Sequence, residues 1–434
     1  MVFLSLCALS LLKIIWIRRN EEIRPAYVIL LLIPIAAGLA AAFAMYPVGG
    51  LDLFHYIFKA KMMVVYNANP YIQIARKVAP SDPFFIYDPF PDHTLGYGPL
   101  WTLLAKWTFR ITAAISSSES ILSQVIGFKT LNLFFWVGIA ILIWSNRPDL
   151  RSKLLSTIFF LGNPLVLFEL ITNAHNDAMM VFFLLSAIIL LQKKRAESLL
   201  AFTASLLIKP FALILLPLGI VYAVKEKAFP LRKWLSACGQ SLFLFFLCWI
   251  PFLDSPHLMS GFLAGMQHAN ALKTASIFSL LREASSLFGL SGWVSSLAFI
   301  LCASITLLAS GVLILQFLRG DPLLRIASMT YLIFCAILTN MLPWYLVFVI
   351  TAAAFSNEWL DLAPAYTFTF LGLVFYLLSI WAWYDSGGST FTVHLLQAGA
   401  LTFPILLYSS AFILASRKRL SAEGVRLQDN EKAA

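Results

Sequence analysis

Apolar runs of about twenty residues recur along almost the whole chain, and nothing constrains it more. A helical run of that length spans the ~30 Å hydrocarbon core of a bilayer. Inside lipid the backbone must satisfy its own hydrogen bonds, which leaves helices and closed barrels. The runs are continuous instead of alternating, so helices are expected. Of 434 residues, 60% are hydrophobic and 12% charged, a balance that argues against a set of soluble domains. The formal net charge of +10 would suit nucleic acid, but Lys and Arg fall in short clusters between the apolar runs, and no nucleic-acid partner is expected.

Those clusters orient the chain. They are Arg18/Arg19/Arg24, Arg147/Arg151/Lys153, Lys193/Lys194/Arg195, Lys225/Lys227/Arg232/Lys233, Arg319/Arg325 and Arg417/Lys418/Arg419. Positive charge collects on the cytoplasmic side of short loops. With every cluster there, about 13 spans fit: 2–17, 27–46, 125–145, 154–172, 178–192, 199–209, 211–224, 234–252, 293–318, 325–341, 343–357, 362–384 and 395–415. The first is expected to be an uncleaved helix, because Arg18-Arg19 follow its apolar core and Lys13 interrupts it. The five cysteines lie in apolar runs without metal-ligand spacing and read as small buried residues. Residues 1–420 are thus predicted to form a single all-α transmembrane bundle, followed by a disordered cytoplasmic tail at 421–434.

The same orientation leaves 47–124 outside as one long loop, with a second external loop at 253–292 and a short third at about 385–394. Gly98–Ile115 is apolar enough to suggest another span. Lys106 and Arg110 share one helical face, however, and Trp101, Leu104 and Trp107 are grouped on another. That pattern predicts a helix lying in the membrane interface.

Chemistry-bearing residues gather on the external side. Asp52 opens the first loop just past the run Tyr27–Tyr46, with His55 and Tyr56 near its helical face. Asn69 and Tyr97 follow, in Asn67-Ala68-Asn69-Pro70-Tyr71 and Tyr97-Gly98-Pro99-Leu100-Trp101. Carboxylates bind hydroxyls and aromatic rings stack on sugar C–H faces, so this loop suits a carbohydrate. Asp52, at the end of a span, is the candidate general base; Asp82, Asp88 and Asp92 read as solvated loop or cap residues.

A second polar group, Asn173-Ala174-His175-Asn176-Asp177, falls at the outer end of a helical hairpin. Glu169 lies one turn earlier in an apolar run, where ionisable groups are expensive. His175, Asn176 and Asp177 are candidates for binding acceptor hydroxyls, with helix capping the alternative for Asp177. Lys209, before Pro210, and His268, Lys273 and Arg282 are candidate partners for a lipid phosphate; snorkelling is the alternative for Lys209. Trp344 and Tyr345 read either as interfacial anchors or as part of the lining.

No Walker lysine loop and no GxGxxG after a strand supports a nucleotide site. No Asp-x-Asp triplet offers a metal to a nucleotide-sugar, and His175 has no second His at i+4. Neither cofactor nor metal is expected. A transporter or flippase of lipid-linked sugars is the alternative; it predicts repeated halves and a midplane site, and no internal repeat is visible.

The chain resembles the polytopic GT-C-fold glycosyltransferases, and most of all the bacterial and archaeal polyprenyl-phosphate-mannose-dependent mannosyltransferases. The likeness is carried, in order, by Asp52 with Tyr56, Asn69-Pro70-Tyr71, Tyr97-Gly98-Pro99-Leu100-Trp101, Asn163-Pro164, His175-Asn176-Asp177, Lys209-Pro210 with Leu216-Pro217, and Pro343-Trp344-Tyr345. It implies a GT-C bundle in the plasma membrane, in contact with membrane lipids. It also implies a polyprenyl-phosphate sugar donor, a lipid-linked or glycan acceptor, and transfer of a hexose, mannose by the likeness, with inversion on the external face. Asp52 would be the base. Some GT-C enzymes carry an Asp-Glu pair at this point; here Leu53 follows Asp52.

Overall fold

The computed structural model describes residues 25–116, 120–271, 276, 291–338, 341–356, 359–385 and 391–433. The predicted helix at 2–17, Lys273, Arg282 and the His268 side chain lie outside the described residues.

Every regular element among the described residues is helical, as the apolar runs predict. The principal helices are α1 (Pro25–Ala44), α2 (Asp52–Val65), α3 (Pro99–Ser116), α4 (Ile121–Ser145), α5 (Leu150–Leu161), α6 (Asp177–Gln192), α7 (Ser198–Ile208) and α8 (Leu216–Lys225). They continue with α9 (Leu231–Trp249), α10 (Leu258–Ala271), α11 (Ser291–Leu318), α12 (Leu323–Ile337), α13 (Val347–Ser356), α14 (Trp359–Asp385) and α15 (Phe391–Ala433).

Four stretches are each long and apolar enough to cross a membrane: Ile121–Ser145, Leu231–Phe252, Leu360–Trp381 and Val393–Arg417. A fifth counts if α5 and Pro164–Thr172, bent by 50°, form one span. Other apolar runs are shorter helices, several of them broken at proline, which removes a donor and disfavours helix in the residue before it. Pro164 follows the end of α5, with the Asn163 carboxamide accepting from Leu165 and Val166 N–H. Pro210 and Pro343 each open a 3-10 turn. Large apolar side chains such as Phe134, Phe243 and Leu307 face outward, which suits lipid and not water.

The two ends of the bundle differ in charge. Lys194 pairs with Glu226, Lys225 donates to the carbonyls of Phe317 and Leu318, Arg147 donates to Phe355 O, and Ser416 bonds Asp321. These contacts collect the basic clusters from 147 to 417 at one end, while Asp52 sits at the other.

The long loop is a folded cap instead of a solvated excursion. Asp82 is buried and pairs with Lys61 at 2.9 Å, and Asp88 is buried against His55 at 2.8 Å, so neither is the solvated loop residue expected from sequence. Only Asp92, paired with Arg76, is exposed in that way. The Asp88 carboxyl lies below its usual range: burial opposes this, but His55, Lys59 and the Phe90 N–H outweigh it. Helix α3 buries Trp101, Ala105 and Phe109 and leaves Trp107 and Arg110 exposed. Trp101 and Trp107 therefore do not share a face; six residues are about 1.7 turns, which sets them roughly 120° apart.

The final helix continues to Ala433, where the polar composition predicts disorder. Its Ala, Glu, Leu, Arg, Gln and Lys are good helix formers, and propensity carries the helix past the last apolar turn.

Candidate functional site

A capped helix end leads into the site. Lys129, buried in α4, donates to the carbonyls of Ala42, Phe43 and Met45 at the end of α1, where carbonyls lack intrahelical partners. Thr172 also donates to Ala42 O, at 3.1 Å. The chain then runs tightly past the second polar group. A Cβ on Gly49 would lie 2.6 Å from the Tyr376 ring, and one on Gly50 2.7 Å from His175 Nε2, so the passage requires glycine. Gly49 N–H donates to Asn173 Oδ1 at 3.1 Å, and α2 begins at Asp52.

Asp52 stands in the first turn of α2, where a negative charge complements the free N–H groups. The Tyr97 hydroxyl donates to Asp52 Oδ2 at 2.9 Å. Burial pushes the Tyr97 phenol well above its ordinary range, and the Asp52 carboxylate pushes it further, so Tyr97 stays protonated and remains a donor. Among the described residues no protein donor reaches Asp52 Oδ1. The Asp52 side chain is 19% exposed, whereas His175 and Glu169 behind it are wholly buried.

The wall behind Asp52 depends on an irregular turn. Residues Phe168–Thr172 form a single π-helical turn, and Ala174 follows in the left-handed region at φ 51°. Alanine pays a backbone cost there, and the Asn132 amide holds its carbonyl at 3.1 Å. The turn puts His175 against Trp344, the rings stacked with centroids 4.0 Å apart and planes at 22°. His175 Nδ1 is 3.9 Å from Asp52 Oδ2 and Nε2 is 3.5 Å from Glu169 Oε2. Burial lowers the imidazole pKa to about 4, with Asp52 opposing and Lys209 assisting, so the ring is neutral at physiological pH. Glu169 is itself held by the Tyr376 hydroxyl at 2.8 Å and the Asn173 amide at 3.1 Å.

On the other side of His175, Asp177 does not act as a side-chain cap of α6; it pairs with Lys209 at 3.0 Å. The Lys209 ammonium gives two N–H groups to the Asp177 oxygens and lies 4.9 Å from the Tyr345 ring centroid. Among the described residues the third N–H has no hydrogen-bond acceptor, which leaves one donor available. The Asn176 amide is wholly buried, and neither its oxygen nor its nitrogen has a partner among the described residues. Trp344 stacks on His175, and Tyr345 is 7% exposed and packs on Phe211, so both rings stand beside this polar group.

The structure thus gathers Asp52, Tyr97, His175, Asn176, Asp177, Lys209, Trp344 and Tyr345. Tyr56 supports them from beneath, its ring edge-on to Tyr97 and Trp101. His55 turns away to Asp88. Asn69 ties the first loop to the second, its amide donating to Phe252 O and Asp254. Neither of these two joins the pocket's polar set. Glu169 and Asn173, noted with the second polar group but not named as binding residues, stand in the same cluster, together with Tyr376. Glu169 carried a signal, an acid inside an apolar run; Tyr376, about 200 residues away in an apolar helix, carried none. Among the described residues no three His, Cys, Asp or Glu side chains converge as a metal-ligand group.

The all-helical membrane bundle thus carries a partly open carboxylate, a neutral imidazole and aromatic rings together at one end. Residues 1–225 match the family described as Alpha-(1->6)-mannopyranosyltransferase, N-terminal domain, and the chain belongs to that family. It is also similar to Alpha-(1->6)-mannopyranosyltransferase A of Mycobacterium tuberculosis, 28% identical over 163 residues. That match covers 35% of this chain and 30% of the relative, so the chain spans less than a third of the length of the relative it matches.

Proposed function

We propose that this protein is a membrane mannosyltransferase that moves mannose from a polyprenyl-phosphate donor to a hydroxyl of a glycan acceptor, inverting the anomeric carbon, with Asp52 as general base. The α-(1→6) linkage follows the family's description. The observation that carries the reading is Asp52 itself: Tyr97 holds one oxygen, no donor among the described residues reaches the other, and the side chain is partly open.

In this reaction the acceptor oxygen attacks the anomeric carbon and loses its proton to Asp52 Oδ1. The bond from that carbon to the phosphate oxygen breaks, and polyprenyl phosphate leaves with the electron pair. One base suffices, because phosphate is already a good leaving group; the paired carboxylates of hydrolases are not required. Lys209 has a spare donor for the phosphate. The unpaired Asn176 amide offers a donor and an acceptor to sugar hydroxyls, and neutral His175, stacked on Trp344, adds no positive charge that would quench the base. The gathering of the basic clusters at the opposite end supports an external site and a multi-pass topology, by the positive-inside rule.

The test is transfer by purified protein in detergent, with polyprenyl-phosphate mannose and a mannoside acceptor. Mannosylated product is expected without any bilayer. Sugar movement that appears only in sealed vesicles, with no new glycosidic bond, would establish the transporter alternative instead.

A further inference from the structure

A second cavity lies at the basic end of the bundle, remote from Asp52. Its volume is about 400 Å³, within the size range of small-molecule sites. Its walls come from the C-terminal ends of α4, α6 and α13, the N-terminal ends of α12 and α14, and Tyr408 of α15. Asp177 and Gln192 mark the two ends of α6. At 1.5 Å per residue these ends are roughly 22 Å apart, so this cavity is not an extension of the Asp52 pocket.

Its lining is chemically biased. Among the described residues, Arg147, Lys193 and Arg325 line it with one carboxylate, Asp361, a surplus of two positive charges. Arg325 is 7% exposed and uses Nε and Nη2 on Asp361, while its Nη1 has no hydrogen-bond partner among the described residues. Arg147 uses Nη1 on Phe355 O, and its Nε has no partner among the described residues. Buried guanidinium N–H groups are costly to leave unpaired, and here two arginines on one cavity each carry one. Ser328 and Tyr408 add hydroxyls, bonded to each other at 3.1 Å. Trp144, three residues from Arg147, is exposed, with the Lys153 ammonium 5.7 Å from its ring centroid. That pairing suits headgroup depth.

We propose that this cavity binds a phosphate-bearing ligand, its phosphate held by Arg147 and Arg325. Guanidinium forks match phosphate oxygens in geometry and charge, and the surplus of two cations matches a phosphate mono- or diester. The phosphate has two possible sources, the headgroup of an anionic phospholipid or a soluble phosphate ester. The site is independent of the reading given to Asp52.

Native mass spectrometry of the whole protein in detergent tests it, with phosphatidylglycerol, a phosphate-free diacyl galactolipid and glycerol phosphate as probes. Phosphatidylglycerol is expected to bind at one copy, and Arg147→Gln to weaken it by about tenfold or more. Ala352→Leu, which fills the cavity without touching charge, is expected to weaken it as well and serves if Arg147→Gln folds poorly. Galactolipid binding should be the same in all three proteins. Displacement of phosphatidylglycerol by glycerol phosphate assigns the site to soluble esters; failure to displace assigns it to the lipid headgroup. Lack of binding by both phosphate probes, or equal phosphatidylglycerol binding by wild type and both variants, overturns the proposal.

Discussion

The Tyr97 hydroxyl, 45 residues along the chain from Asp52, donates a 2.9 Å hydrogen bond to one of its carboxylate oxygens. The bond fixes the carboxylate plane and leaves the second oxygen for an acceptor. Tyr97→Phe keeps the ring that packs on Tyr56 and removes the hydroxyl. A hydrogen bond to a charged group contributes about 1.5–3 kcal/mol to stability, so a lower melting temperature is expected, together with a fall in kcat of about tenfold or more as the carboxylate loses its fixed plane. Single-turnover transfer rates and melting curves of the two proteins check this.

His175 makes stability depend on pH. Its folded pKa of about 4 lies below the ~6.5 of an unfolded chain. Between these values the unfolded state binds a proton that the folded state does not. Stability therefore rises with pH across the window and is lost as pH falls from ~6.5 towards 4, by up to about 3 kcal/mol. Thermal unfolding in detergent from pH 7 to pH 4 should show a shallower slope for His175→Asn than for wild type.

Gly50→Ala tests the close passage under the imidazole. The new Cβ would meet His175 Nε2 at 2.7 Å, and the ring is backed by Trp344. Overpacking of this kind costs about 1–3 kcal/mol. Transfer is expected to fall more than stability, because the ring is displaced beside Asp52. Equal activity of the folded mutant and wild type would show that His175 has room to yield.

Lys129→Met removes the cation that caps α1. Ala42 O keeps Thr172, but the Phe43 and Met45 carbonyls lose their donor, and each such acceptor left unpaired costs about 1–3 kcal/mol. A lower melting temperature is expected, together with faster amide exchange over residues 46–51. Unchanged exchange there would mean that Thr172 and the glycine passage hold the segment alone.

The helices were legible because their signal is local. The run 125–145 became Ile121–Ser145, and 178–192 became Asp177–Gln192. Much of the site was legible too, since Asp52, Tyr97, His175-Asn176-Asp177, Lys209 and Trp344-Tyr345 stand where apolar runs stop. What the residues did not disclose were pairings across the fold. Nothing near His55 announces Asp88, so a histidine one turn from Asp52 read as part of the pocket when it holds the loop. Asn69 likewise meets Asp254 only once both loops have folded. Asp177 resembled a helix cap because Lys209, its partner, is 32 residues away. The positions of Trp101 and Trp107 were open to simple counting, and the broad apolar face of α3 obscured them.

The most direct test of the central claim is Asp52→Asn in the transfer assay, with insertion and melting measured on the same preparation. Loss of about 10²–10⁴ in turnover is expected from removing a poised general base, with membrane insertion intact and donor binding retained. Transfer at near wild-type rate by a correctly inserted Asp52→Asn protein would contradict the assignment.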